Sequence, residues 1–260
     1  MAFLLGKAAN ISTRGMVGTG QNVLIAGFII SGNQSKKVIV RALGPTLSNF
    51  GVNGPLADPT VTIVNSSHVV VASNDNWRNT QEAEIAASGF APPNDLESAI
   101  IATLAPGSYT AVVSGKNGGT GVGLVDVYQL DATTSIFSNL SARGFVGTGD
   151  NVLIGGLIIG NGEPPVIVLR AIGPTLSSFG IAQPLQDPTL ELRDANGALI
   201  AFDNDWNDNT PTGIKAALLK PTDDRESAIV ASLAAGNYTA IVRGKNGTTG
   251  VALVEAYRLR

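Results

Sequence analysis

The sequence predicts an all-β protein built from two tandem antiparallel β-sandwich domains of the jelly-roll type, each with one short helix. The chain of 260 residues contains 31 glycines and only 14% charged residues, a composition typical of short strands joined by tight turns. Short apolar segments alternate with clusters of Gly, Pro and Asn along the whole chain. The second half of the chain also repeats the first half.

The internal repeat defines the predicted domains. An offset of 129 residues aligns residues 14–20 with 143–149, 44–47 with 173–176 and 115–118 with 244–247. We therefore predict an apolar leader at residues 1–11, a first repeat at 12–130, a linker at 131–140 and a second repeat at 141–260. A linker of this length predicts two domains that are restrained relative to each other.

Within one repeat the strands follow from apolar segments bounded by turn residues. They are predicted at residues 11–17, 22–31, 37–43, 60–64, 69–73, 98–104, 109–114 and 122–129. The first two strands are expected to form a hairpin, because the Gly-Thr-Gly turn between them allows positive φ. A second hairpin is expected to join 60–64 to 69–73. Residues 80–89 contain helix formers between a capping Thr and a final Gly, which predicts the short helix, with 212–220 as its counterpart.

One arginine interrupts the third strand of each repeat, Arg41 in the first and Arg170 in the second. It shares a strand face with apolar residues. Two interpretations remain open: a buried arginine that forms a planar bidentate pair with a carboxylate, or a solvated arginine that lies over the sheet edge.

Clusters of Asp, Asn and Glu follow the second predicted hairpin of each repeat. Calcium takes about six to eight oxygen ligands, and closely spaced carboxylate and amide side chains supply them. We predict one calcium ion per repeat, with these ligands: Asn74, Asp75, Asn76, Asp95 and Glu97 in the first repeat, and Asp203, Asn204, Asp205, Asp224 and Glu226 in the second. The second set has more carboxylates, so we expect it to bind more tightly. The alternative is that these residues only form turns, in which Asn and Asp bond their own backbone.

Tryptophan, histidine and paired carboxylates are the other residue types of this chain that carry function in many proteins. Trp77 and Trp206 directly follow the clusters, and we expect them to pack in the core rather than to serve as sugar platforms. His68 is the only histidine, and it falls in a predicted hairpin turn, where a Ser-His-Asp triad is not expected. The paired carboxylates are better explained as metal ligands than as a glycosidase pair. We therefore expect a protein without catalytic activity.

Residues 70–128 resemble the bacterial pre-peptidase C-terminal domain family. The resemblance depends on Ala-Ser-Asn-Asp-Asn at 72–76, Glu-Ser-Ala-Ile at 97–100, and residues 104–115 and 119–121, and the second copy repeats it over 200–257. It implies a jelly-roll sandwich in a secreted or surface-attached bacterial protein, with calcium held by Asp, Glu and Asn side chains. The whole unit is also similar to a glycine-rich tandem repeat of bacterial exported proteins, which alone accounts for residues 14–20.

These observations favour an extracellular or cell-surface structural protein that forms a homo-oligomer or a polymer, such as a fibre, tube or layer, through its sheet edges. The apolar leader, especially residues 2–5, is expected to pair with the sheet edge of a neighbour. The start of the chain lacks the basic region and long apolar run of a classical signal peptide. The alternative is an adhesion or carbohydrate-binding module, although aromatic residues make up only 5% of the chain.

Charge and hydropathy exclude two kinds of partner. The net charge is −3, and no run of basic residues is present, so nucleic acid is not expected as a partner. No apolar run has the length of a membrane span.

Overall fold

A computed structural model describes residues 8–208 and 219–259, with the backbone alone for residues 8–11. The strands in these ranges are β1 Ala8–Val17, β2 Leu24–Ser31, β3 Lys36–Leu43, β4 Pro59–Asn65, β5 Val70–Asn74, β6 Ser98–Leu104, β7 Gly107–Gly115, β8 Gly121–Gln129, β9 Ile136–Val146, β10 Leu153–Ile159, β11 Val166–Ile172, β12 Pro188–Arg193, β13 Leu199–Asp203, β14 Ser227–Ser232, β15 Gly236–Gly244 and β16 Gly250–Leu259. The helix α1 spans Glu82–Ala87 and is the helix predicted for the first repeat. The helix predicted at 212–220 falls mostly outside the described residues.

Each repeat forms two antiparallel sheets that face each other. In the first copy the sheets have the orders β1-β8-β3-β6 and β2-β7-β4-β5, and in the second copy β9-β16-β11-β14 and β10-β15-β12-β13. Eight strands in two sheets of this order form a jelly roll. The predicted all-β sandwich fold is therefore confirmed.

The hairpin predicted for the first two strands of each repeat is wrong. β1 pairs with β8 and β10, whereas β2 pairs with β7 and β9, so the two strands lie in opposite sheets. The glycine turn between them has the predicted geometry, since Gly20 has a φ of 59°. It carries the chain across the sandwich instead of back along the same sheet, and a local turn signal does not distinguish these two connections.

The two repeats share their sheets. β1 pairs antiparallel with β10 of the second copy, and β9 of the second copy pairs antiparallel with β2. Each four-stranded sheet thus continues into a sheet of the other copy. The result is two layers of eight strands, β5-β4-β7-β2-β9-β16-β11-β14 and β13-β12-β15-β10-β1-β8-β3-β6, which one further β1–β9 pair, Met16 with Phe145, connects to each other. The edges that β1, β2, β9 and β10 would leave open in a single repeat are covered by the other repeat.

This pairing changes the predicted domain boundaries. Residues 8–11, predicted as part of the leader, belong to β1, and residues 136–140, predicted as linker, begin β9. Residues 1–7, which include the apolar leader residues 2–5, lie outside the described ranges. A single buried core contains side chains from both copies, among them Phe28, Val127 and Leu157. The repeats are therefore two halves of one packed unit rather than two separate domains.

Strand alternation builds this core. On β2, Leu24, Ala26, Phe28 and Ile30 are buried, whereas the residues between them are only partly covered. Alternate side chains of a strand point to opposite faces, so one face lines the core and the other forms the outer surface. None of the helices in the described ranges has the length and apolar character needed to span a bilayer.

Candidate functional site

The predicted calcium ligands lie at one end of each jelly roll, where the two layers meet. Asn74 is the last residue of β5, and its Oδ1 accepts a hydrogen bond of 3.1 Å from the amide of Ala99 on β6, in the opposite layer. Asp203 ends β13, and its Oδ2 accepts the equivalent bond of 2.8 Å from the amide of Ala228 on β14. These two side chains therefore join the layers directly through protein hydrogen bonds.

Glu97 and Glu226 have a structural role that the sequence did not reveal. Glu97 is fully buried, and its carboxylate accepts hydrogen bonds from the amides of Gly44 and Thr46 at 3.0 Å each and from the Thr46 hydroxyl at 2.9 Å. Glu226 accepts the same two amide bonds in the second copy. Buried polar atoms in folded proteins are nearly always hydrogen-bonded, and these donors satisfy carboxylate oxygens that have no access to water. Both glutamates therefore hold the start of a 3-10 turn in place.

A lysine ammonium group occupies the acidic corner of each copy. Lys116 Nζ lies 2.7 Å from Asp75 Oδ2 and 3.6 Å from Asp58 Oδ2. The hydrogen bond to Asp75 is the main cause of the raised pKa of Lys116. Lys245 takes the equivalent position in the second copy, at 3.4 Å and 3.6 Å from two carboxylates. An internal cation thus already neutralises part of the charge that we expected calcium to neutralise.

The corner offers buried oxygen atoms as candidate ligands for a cation. Within the described residues, its buried side-chain oxygens without a partner are Asp58 Oδ1, Asp75 Oδ1 and Asn76 Oδ1 in the first copy, and Asp187 Oδ1, Asn204 Oδ1 and Glu226 Oε2 in the second. Among the described residues, no three acidic or histidine side chains come close enough together to hold a metal ion. Asp95 pairs with the exposed Arg78 at 2.6 Å, and Asp224 is exposed. Calcium binding therefore stays a prediction, with a smaller set of candidate oxygens.

Sequence reasoning missed Asp58, Asp187 and the two lysines. They approach the corner from loops far away in the sequence, so spacing along one strand does not find them. The internal repeat was the sequence signal that points to these residues. Both copies have an aspartate at the same position, directly before the proline that begins β4 or β12. Each lysine begins a Lys-Asn-Gly turn whose asparagine has positive φ, 53° at Asn117.

The two tryptophans are core residues, as predicted. Trp77 is 3% exposed and Trp206 is 6% exposed. Trp77 packs with Ile85 of α1 and with Ile101 of β6 in a small cluster outside the main core. The tryptophans therefore fix the loop that carries the acidic cluster, and neither offers a flat face to a sugar.

The arginines of the third strand form carboxylate pairs. Arg41 Nε and Nη2 donate to the two carboxylate oxygens of Asp126 on β8, at 2.9 Å and 2.6 Å. Arg170 pairs with Glu255 on β16, where its Nε and Nη2 both donate to the single oxygen Oε2. Burial raises the pKa of Asp126, and the pairing with Arg41 lowers it. Of the two open interpretations, the carboxylate pair is correct for both arginines, and the pair is bidentate on two oxygens for Arg41.

The outermost strands differ in how their free edges are covered. The edge of β6 is capped by Gln81, whose side-chain amide bonds both the N–H and the C=O of Ile101 at 2.9 Å. β5 and β13 pair on one side only, with β4 and β12, within the described part of the chain. These two strands also expose apolar side chains, which are Val70, Val71, Leu199, Ile200 and Phe202. The first copy therefore has one capped edge, β6, and one open apolar edge, β5, and within the described residues β13 is the open apolar edge of the second copy.

Comparison with known proteins leaves the chain without a family. No protein-family model matches it, and no curated protein matches it. Among solved structures, a DUF4785-family protein from Legionella pneumophila is similar over 100% of this chain and 85% of that chain, with 10% sequence identity and a TM-score of 0.27. A similarity this low carries no argument about fold or function.

Proposed function

We propose that this protein is a non-catalytic structural protein whose copies join through their open sheet edges into a fibre, tube or layer. The observation that carries the proposal is the pair of open apolar edges, β5 and β13. They end different layers, one in each copy, at opposite ends of the strand order. A subunit with two such edges can add a neighbour at each end, so association does not stop at a dimer.

The residues of these strands favour edge pairing. Soluble proteins usually protect an edge strand with lysine, proline or an inward-pointing charge. β5 reads Val-Val-Ala-Ser-Asn and has no charged residue, and β13 reads Leu-Ile-Ala-Phe-Asp, with a charge only at its last position. Val70 is 58% exposed and Leu199 is 54% exposed. Short apolar segments of this kind, with free backbone groups, add readily to another strand.

Pairing between repeats inside the chain supports the same conclusion. β1 joins β10, and β9 joins β2, by ordinary antiparallel hydrogen bonds. Edge addition is therefore already the way in which one copy of this unit meets another. The extracellular location and the calcium ions remain part of the proposal. The location is supported by the resemblance to exported bacterial proteins, and calcium by the unpartnered oxygens of the acidic corner.

Negative-stain microscopy and sedimentation of the purified full chain, with calcium and then with a chelator, test the proposal. We expect ordered polymers in the wild-type protein. Val71→Lys and Ile200→Lys place a charge at equivalent positions of the two open edges. If β5 meets β13 of the neighbour, each single variant is monomeric; if like edges meet, each stops at a dimer. The double variant is monomeric in both cases.

Leu96→Lys is the matched control, because Leu96 is an exposed apolar residue, 46% accessible, outside both edges. It should leave polymers unchanged. Deletion of residues 1–7 tests the leader, whereas deletion of 1–11 would also remove the start of β1. A wild-type protein that stays monodisperse under both conditions contradicts the proposal. If that monodisperse protein binds glycans, the adhesion alternative is favoured.

A further inference from the structure

A groove on the outer face of the first copy contains more positive charge than its own residues neutralise. It has a volume of about 350 Å³ and lies between strands β1, β3 and β8 and the 3-10 turn Pro45–Phe50. Its polar and aromatic lining includes Ser12, Arg14, Arg41, Asp126, Tyr128 and Phe50. Alternation on β1 places Ser12 and Arg14 on this outer face, since Thr13 and Gly15 are buried.

The two arginines of the groove differ in their partners. Both carboxylate oxygens of Asp126 are used by Arg41, which also donates to the Phe90 carbonyl at 3.0 Å. The side chain of Arg14 has no hydrogen bond or ion pair within residues 8–208 and 219–259. The groove therefore holds one guanidinium group without a protein anion.

The same arginine recurs in the second copy as Arg143, which is also partly buried. Its Nε is buried and has no partner among the described residues. Burial lowers the pKa of Arg143. Glu255, which stands where Asp126 stands in the first copy, is used by Arg170 and by the Tyr257 hydroxyl at 2.7 Å. A covered guanidinium without an anion costs free energy, so its presence in both copies points to an anion supplied from outside.

We propose that Arg14, and Arg143 in the second copy, bind the carboxylate of an acidic saccharide. The planar guanidinium matches a carboxylate with two parallel hydrogen bonds. Phe50 is 78% exposed at the rim of the first groove, and its equivalent Phe179 is 77% exposed, so each offers an apolar face to a sugar ring. The tryptophans are buried, but these two phenylalanines supply the exposed aromatic surface that a saccharide site needs. This site does not depend on edge-to-edge assembly.

Calorimetric titration of the full chain with trigalacturonic acid tests the site, with neutral galactotriose as the matched ligand. We expect the acidic trisaccharide to bind at least about tenfold more tightly, because charge-assisted hydrogen bonds between a guanidinium and a carboxylate are stronger than neutral ones. Arg14→Gln and Arg143→Gln should each remove binding at their own site. Arg78→Gln is the control, because Arg78 is exposed, pairs with Asp95 and does not line the groove of the first copy.

Melting temperatures separate ligand binding from a structural role. A guanidinium without a protein partner contributes little to folding, so Arg14→Gln and Arg143→Gln should keep the wild-type melting temperature or raise it. A clear fall in melting temperature in both variants would assign the arginines to the fold and overturn the proposal. Equal binding of the two trisaccharides, or no binding at millimolar concentration, would overturn it as well.

Discussion

Asn74 and Asp203 hold the two layers together with the same hydrogen bond, one with a neutral side chain and the other with a carboxyl group. Burial raises the pKa of Asp203, and the nearby Asp205 and Asp208 raise it further. The ionised form of Asp203 is therefore penalised in the folded protein. The first copy avoids this penalty because asparagine offers the same acceptor without a charge.

Asp203→Asn should raise the melting temperature at pH 7 in the presence of a chelator. A carboxyl group whose pKa rises on folding reduces stability at pH values above that pKa, and the reduction disappears below its ordinary value of 3.8. The advantage of the variant should therefore be full at pH 7 and should vanish as the pH falls through the raised pKa towards 3.8. Thermal unfolding followed by circular dichroism over this pH range measures it.

The reverse change in the first copy, Asn74→Asp, is the matched control and should lower the melting temperature at pH 7. A loss of stability in Asp203→Asn at pH 7 would contradict this account. If Asp203 is also a calcium ligand, added calcium should stabilise the wild-type protein more than the variant.

At the scale of elements, the two outermost strands of the first copy, β5 and β6, differ in whether their free edge is capped. Gln81 lies just before α1, and its side-chain amide bonds the N–H and C=O of Ile101 on β6, as the backbone of a neighbouring strand would. β5 has no such cover within the described residues. Because a free edge recruits further strands, this difference leaves β5 as the open edge of the first copy.

Gln81→Ala should leave the buried N–H and C=O of Ile101 without their hydrogen-bond partners. We expect the free energy of unfolding to fall by about 1–3 kcal/mol, the usual cost of unsatisfied buried groups. Native-state hydrogen exchange should show faster exchange at the Ile101 amide. Gln186→Ala is the control, because Gln186 is an exposed glutamine of the second copy whose side chain bonds the Pro184 carbonyl and Arg225 and no residue of β6. Unchanged protection at Ile101 would mean that Gln81 does not cap the strand.

At the scale of the whole molecule, the two repeats behave as a fused dimer. β1 and β2 of one copy are each completed by a strand of the other, so neither copy has a closed sandwich without its partner. Joining them in one chain makes this pairing intramolecular and raises its effective concentration.

A single repeat, residues 136–259, should therefore form a homodimer in which β9 of each subunit pairs with β10 of the other. Introducing Ile200→Lys in this fragment blocks the outer edge and leaves only the inner edges for association. Light scattering after size-exclusion chromatography should give twice the mass of one fragment. A folded monomer would show that one repeat can cover its own edges.

Local patterns determined the fold class, the duplication, the position of α1 and the burial of the tryptophans. They do so because glycine turns, alternation and repeated residues are properties of neighbouring positions in the chain. The same patterns located the acidic corner through Asn74 and Asp203, but they did not reveal that Glu97 bonds the amides of Gly44 and Thr46, which lie about fifty residues away in sequence.

Only the tertiary structure decided which layer each strand joins and that the two repeats exchange their edges. The pairing of Ile11 with Leu157 and of Ile25 with Arg143 joins backbones that are more than a hundred residues apart. Periodicity specifies which face of a strand is apolar but not which strand it meets, since backbone hydrogen bonds are the same for every partner. Packing of the common core selects the partners, and it thereby leaves β5 and β13 open and Arg14 and Arg143 without an anion.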